Sequence, residues 1–244
     1  MTRAMRTASM ADLQVRIAGG TDRQGGGSGP VVVLLHGFGA RGDDLAALHR
    51  VLDVPREVRF VFPEALLAPP EFAAYGGRAW WMIDTVTLQQ AALSGRSRDR
   101  STETPPGMAE AHARVAALLD ALPGELGVGG EQLVLGGFSQ GAMLACDIAL
   151  RSERKLAGLV LLSTTLLCRH DWLPRMPARR ELPILQAHGR ADPLLPLALA
   201  AELRDAFRAA GCSVDWHEFN GGHEVPIGVT QALGRFIRLR SEGA

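Results

Sequence analysis

The chain has 244 residues, 47% of them apolar and 21% charged, with 26 basic residues balanced by 26 acidic ones. This length and composition suit one globular domain with a large core and exclude a disordered or fibrous chain. The neutral balance leaves no basic footprint for nucleic acid, and the apolar runs are too short for stable insertion across a bilayer.

Taken in chain order, residues 1–11 carry two Arg without a following apolar core. They lack the shape of a secretory signal and are expected to form a flexible end. A strand is expected near 13–18, then a Gly-rich polar loop over 21–30. Apolar runs follow at 31–36, 58–62, 133–135, 156–162 and 184–187, closed by Gly or Pro. Such unbroken runs suit strands buried on both faces of a parallel sheet. A sixth run, 214–219, is more polar and is expected nearer an edge.

Helix patterns lie between these runs. Met108, Ala111, Val115, Leu118 and Leu122 recur at three- and four-residue steps. Leu199, Leu203, Phe207 and Ala210 repeat the pattern, with Pro196 suited to a start and Gly211 to a stop. Val229, Leu233, Phe236 and Leu239 mark a last helix. Residues 94–107, rich in Ser, Arg and Pro, are expected to be a mobile surface segment. Strand–helix alternation predicts a doubly wound α/β fold: one mostly parallel central sheet with helices on both faces, and a single domain over 1–244. The gap from 163 to 182 is too short for a separate cap domain.

Gly137-Phe138-Ser139-Gln140-Gly141 stands directly between the third apolar run and a helix-compatible segment. A serine on such a turn projects its hydroxyl above the sheet edge, and the flanking glycines avoid collision in the bend. A simple turn serine is the competing interpretation. A serine hydroxyl needs a base to take its proton, and in folds of this kind the acid and then the histidine follow the serine in the chain. His223, in Gly221-Gly222-His223-Glu224, fits the base. Among the other histidines, His49 and His112 are expected at the surface, His217 lies in a strand, and His170 lacks a glycine-framed loop. His36 and His188 each end a strand and are expected to make structural hydrogen bonds. Asp192, after the fifth run, fits the acid; Asp171 is its rival, and an Asx-type turn before Pro193 its bland alternative. The loop His36-Gly37-Phe38-Gly39 is expected to supply an oxyanion N–H from Phe38, paired with that of Gln140.

Together these pieces resemble the phospholipase/carboxylesterase family, which includes acyl-protein thioesterases. The resemblance rests on Leu35-His36-Gly37-Phe38-Gly39, Gly76-Gly77-Arg78-Ala79-Trp80-Trp81, Gly137-Phe138-Ser139-Gln140-Gly141, His188-Gly189 with Asp192, and Gly221-Gly222-His223-Glu224. It implies a compact α/β-hydrolase fold without a cap domain and esterase activity on short or medium acyl groups. The chain departs from the family in Trp80-Trp81, where a Trp-Phe pair is common, and in the loop 64–74 with its extra Leu66-Leu67-Ala68-Pro69-Pro70 run.

The sequence therefore predicts a serine hydrolase cleaving esters or thioesters through an acyl-enzyme, with catalytic Ser139, Asp192 and His223. Leu66, Trp80, Trp81 and Met143 are expected to line the acyl site, a core role for the two tryptophans being equally open. No zinc spacing and no phosphate-cradling glycine motif is present, so no metal or cofactor is expected. The expected partner is a small ester or thioester, with no nucleic acid; the sequence also admits a homodimer. Cys146, Cys168 and Cys212 form no disulfide framework, which points to reduced thiols in the cytoplasm. A lysophospholipase and a non-catalytic binding protein on the same scaffold remain the alternatives.

Overall fold

The computed structural model describes residues 5–86 and 99–241. Eight strands form one sheet: β1 (Arg6–Met10), β2 (Leu13–Gly19), β3 (Val31–Leu35), β4 (Arg59–Pro63), β5 (Leu133–Phe138), β6 (Gly158–Leu162), β7 (Pro183–Gly189) and β8 (Ser213–Phe219). Their order is β1-β2-β4-β3-β5-β6-β7-β8. The first two pairings, β1 with β2 and β2 with β4, are antiparallel, and all the others are parallel. The reversal of strand order around β3 and β4 brings the loop after β3 beside the loop after β5, where ligands bind in open α/β sheets.

Four longer helices cover the sheet: α1 (Met108–Leu126), α2 (Gln140–Arg151), α3 (Leu197–Ala209) and α4 (Ile227–Ser241). The central strands β3, β4 and β6 are buried at every residue, because both their faces carry apolar side chains into helix layers. One layer gathers Val115, Leu118 and Leu122 of α1, Leu144 and Ile148 of α2, and Leu203 and Phe207 of α3. The opposite layer holds Val229, Leu233, Phe236 and Ile237 of α4 against Val32, Phe60 and Val160. Leu239, expected on the buried face of α4, is exposed, and Ile237 takes the core position.

Two stretches expected to be loose are ordered where they are described. Residues 6–10 pair along their whole length with β2. In the segment 94–107, residues 94–98 lie outside the described residues. The remainder is tied down: Ser101 is fully buried, the Cys168 N–H donates to Glu103 O at 3.1 Å and the Arg169 N–H to Ser101 O at 2.8 Å.

The helix layers hide a charged hub. The Asp147 carboxylate on α2 is buried and accepts from His112 Nδ1 at 2.7 Å, Trp172 Nε1 at 2.8 Å and Arg151 Nε at 2.8 Å. His112, expected at the surface, is thereby drawn into the interior edge; His49, also expected there, is buried with its Nδ1 on Ala46 O. Burial alone would raise the Asp147 pKa, but the three donors prevail and hold it below the usual carboxylate range. A depressed folded-state pKa contributes stability that is complete above the ordinary carboxylate pKa and lost as pH falls through the folded one. Asp147→Ala strips a partner from three donors at once and is expected to cost about 3–5 kcal/mol. Urea melts at neutral pH measure this; a loss under about 1 kcal/mol contradicts the buried-hub account.

Candidate active site

The site is built at the carboxyl ends of the parallel strands, and its first part is the β5–α2 turn. Ser139 sits there at φ 53°, ψ −118°, a conformation that side-chain-bearing residues rarely adopt. Its N–H donates to Leu162 O at 2.9 Å and its C=O accepts from the Met143 N–H at 3.0 Å, so the strained turn is clamped from both sides. Close approach explains the glycine after it: a Cβ on Gly141 would lie 2.1 Å from Leu35 O. The Gln140 N–H opens α2, where first-turn N–H groups have no intrahelical partner. Phe38 lies on the loop after β3. Among the described residues neither the Phe38 nor the Gln140 N–H meets a protein acceptor.

The Gln140 side chain has a separate task. Its Oε1 accepts from the Trp80 N–H at 2.9 Å and its Nε2 donates to Trp81 O at 2.8 Å, anchoring the 80–81 loop to the first turn of α2. This bridge between distant segments left no signal in the spacing of the sequence.

Asp192 and His223 come from the neighbouring strand ends. His223 Nδ1 lies 2.7 Å from Asp192 Oδ2, and the Asp192 side chain is fully buried. Its Oδ1 accepts from the Leu194 and Leu195 N–H groups, both at 2.9 Å. Burial pushes the carboxyl pKa up, but His223 and the two N–H donors outweigh it, and the net shift is downward. The two loops are stitched together by Arg190 N–H to Phe219 O and Ala191 N–H to Gly221 O, each 2.9 Å. They pass so close that a Cβ on Gly189 would come within 2.2 Å of Gly222 O. The rival acid Asp171 is elsewhere, paired with Arg151 at 3.0 Å and with Arg175.

Ser139 and His223 line the same cavity of about 500 Å³, whose walls are mainly apolar. The Phe138 ring, next to Ser139, packs 4.8 Å from the His223 imidazole, centroid to centroid. Of the four residues expected to line the acyl site, Trp81 and Met143 line this cavity. Leu66 does not: it is half exposed, outside the cavity. Trp80 is a core residue. Its indole is buried, donates to His36 O at 2.9 Å and stacks at a tilt on the His36 ring, which fixes the loop carrying Phe38. The wall that sequence reasoning missed is supplied by Phe72, Leu167, Leu195 and Leu199. Leu199 was legible only as one step of a helical stripe, and Phe72 lies in the loop already noted as unusual.

The model of the family described as Phospholipase/Carboxylesterase matches residues 24–241. The chain belongs to this family. Its relatives include acyl-protein thioesterase 1 of Neurospora crassa, 27% identical over 219 residues and covering 86% of each chain. Acyl-protein thioesterase 1 of Yarrowia lipolytica is 28% identical over 203 residues, 78% of this chain and 82% of its own. Among solved structures, the esterase PE8 superposes with a TM-score of 0.79 at 25% identity, covering 93% of this chain and 98% of that one. A Bacillus cereus carboxylesterase shares the fold, with a TM-score of 0.70 at 20% identity over 93% of this chain and 94% of its own. This phospholipase/carboxylesterase family member is thus an α/β-hydrolase and a serine hydrolase acting on esters or thioesters. Among the described residues no helix is long and apolar enough to cross a membrane.

Proposed function

We propose that Ser139 is the nucleophile of this family member, His223 its general base and Asp192 the carboxylate that orients the base. The observation that carries the reading is the 2.7 Å Asp192–His223 contact, with the imidazole sharing one cavity with a strained, half-buried Ser139. Because Asp192 is a pure acceptor, it fixes the proton of neutral His223 on Nδ1 and leaves Nε2 free to accept from the serine hydroxyl. Ser139 attacks the acyl carbonyl as His223 takes its proton. The unpartnered N–H groups of Phe38 and Gln140 hold the oxyanion, and the alcohol or thiol leaves with the proton from His223. Water then attacks the acyl-enzyme by the same route.

In this reading one α/β domain spanning 1–244 takes a small ester or thioester, and the chemistry needs neither metal nor cofactor. A cytoplasmic setting is in keeping with three buried free thiols. Short to medium acyl chains lie against Trp81, Met143 and Leu167 in a space of about 500 Å³.

A fluorophosphonate probe is expected to label the protein once, on the peptide containing Ser139. A panel of acyl esters and thioesters of rising chain length is expected to give a kcat/KM maximum at short or medium length. A well-folded protein that takes no label favours a binding module; rising activity through long-chain lysolipids favours a lysophospholipase.

A further inference from the structure

Behind the candidate acid lies a second imidazole that the reaction scheme above does not use. His188, near the end of β7, is fully buried. Its Nε2 lies 2.9 Å from Leu195 O and 3.5 Å from Asp192 Oδ2, the same oxygen that meets His223 from the other side. Both neighbours of Nε2 are acceptors only, so Nε2 carries the proton; it donates to Leu195 O, and its N–H dipole lies against Asp192 Oδ2 without a hydrogen bond to it. The opposite nitrogen, Nδ1, is buried without a hydrogen-bond partner. A buried polar atom left unsatisfied is destabilising, a cost that an aliphatic residue at this position would avoid.

We propose that His188 is a positioning residue that acts through Asp192: its Nε2–H braces the Asp192–Leu195 turn and draws charge from the carboxylate oxygen that faces His223. The proposal rests on the reading of Asp192 and His223 as acid and base. Three features of the site support it. The ring donates to the Leu195 carbonyl and lies 3.5 Å from Asp192 Oδ2, while Asp192 Oδ1 receives the Leu194 and Leu195 N–H groups. His188 therefore ties the Asp192–Leu195 turn to the end of β7. The titratable groups facing the ring are Asp192 and His223 from the loops and Glu218 from β8. Burial holds the His188 pKa below the ordinary histidine value, the Leu195 carbonyl and the nearby carboxylates only partly opposing it, so the ring is a neutral donor and adds no charge to the site.

The role has a readable consequence. Without the Nε2–H, Asp192 presents more negative charge to the imidazolium formed during turnover and holds its proton more firmly. The acid limb of the kcat/KM profile then moves to higher pH, and kcat falls as the Asp192 turn loosens. His188→Phe is expected to lower kcat by about ten- to a hundredfold, by analogy with groups that orient metal-ligating residues, with KM little changed. His188→Gln carries an amide N–H close to the Nε2 position and is expected to recover most of the rate and the wild-type limb. A purely space-filling role predicts the reverse order, Phe better than Gln, and no movement of the limb; that result overturns the proposal.

Should His188→Phe fail to fold, nitrogen NMR of the wild-type histidines decides instead. His188 is expected as the neutral Nε2–H tautomer at neutral pH, its pKa held below the ordinary histidine value by burial, and an Nδ1–H tautomer or a protonated ring at neutral pH overturns the assignment. Ser139→Ala and Asp192→Asn run in the same assay separate the two levels. If both remain active, the triad reading has failed; if both are dead while His188→Phe matches wild type in rate and limb, only the positioning role has.

Discussion

Ser139→Ala is expected to lower ester and thioester turnover by about a millionfold while leaving substrate binding and the fold in place. Removal of the nucleophile from a serine–histidine–aspartate unit typically has an effect of this size. What remains is the roughly 10³–10⁴-fold catalysis over water that the oxyanion donors and binding provide. In the proposed mechanism those donors are the N–H groups of Phe38 and Gln140, which alanine at position 139 does not touch. The same turn allows a second variant with an opposite effect on stability. Ser139 occupies φ 53°, ψ −118°, a region that only glycine enters without strain. Ser139→Gly is therefore expected to be as inactive as the alanine variant yet more stable than wild type by about 1 kcal/mol. Steady-state hydrolysis and thermal melts of the three proteins measure both effects. Retention of near-native turnover by either variant sinks the nucleophile assignment.

Asp192→Asn is expected to cost about 10⁴-fold in kcat, although the substitution changes one atom. The amide oxygen can keep the Leu194 and Leu195 N–H bonds now made by Oδ1, each 2.9 Å long. The NH₂ then stands where Oδ2 meets His223 Nδ1 at 2.7 Å. An NH₂ donates, so His223 must offer a bare Nδ1 and carry its proton on Nε2, where it can no longer accept from the serine hydroxyl. The fold is expected to survive, because the turn keeps its backbone bonds, and fluorophosphonate labelling is expected to slow in parallel with kcat. A variant within tenfold of wild type in both assays means that some other carboxylate orients the base, and Asp171, turned to Arg151 at 3.0 Å and to Arg175, is not placed to do so.

The two largest effects fall on residues that could be named before any coordinates, and the reason is local. The β5–α2 turn must admit Ser139 at a left-handed φ, and a Cβ on Gly137 or Gly141 would lie only 2.5 or 2.1 Å from Leu35 O, so glycine is demanded at fixed offsets. Strand ends that carry Asp192 and His223 need glycine for a similar reason, where the 189–192 and 221–222 loops touch backbone to backbone. Steric demands of this kind leave short, readable patterns. The central strands were equally legible, because a parallel strand covered on both faces is apolar throughout.

Other features depended on contacts between residues far apart in the chain. The run Arg-Thr-Ala-Ser-Met at 6–10 has the polar alternation of an edge strand and reads as a loose end until β2 is beside it. Which of Trp80 and Trp81 faces the cavity is decided by Gln140, sixty residues away, whose side-chain amide holds the main chain of both. The cavity wall from Phe72, Leu167 and Leu195 and the second imidazole under Asp192 arise the same way.

The sequence by itself determined the fold class, the turn that carries Ser139 and the order of serine, carboxylate and imidazole, because backbone sterics and strand burial write themselves into neighbouring residues. Only the tertiary structure decided the shape of the pocket and the surroundings of the carboxylate. Those are set by side chains meeting across loops, and no period or spacing along the chain encodes such a meeting.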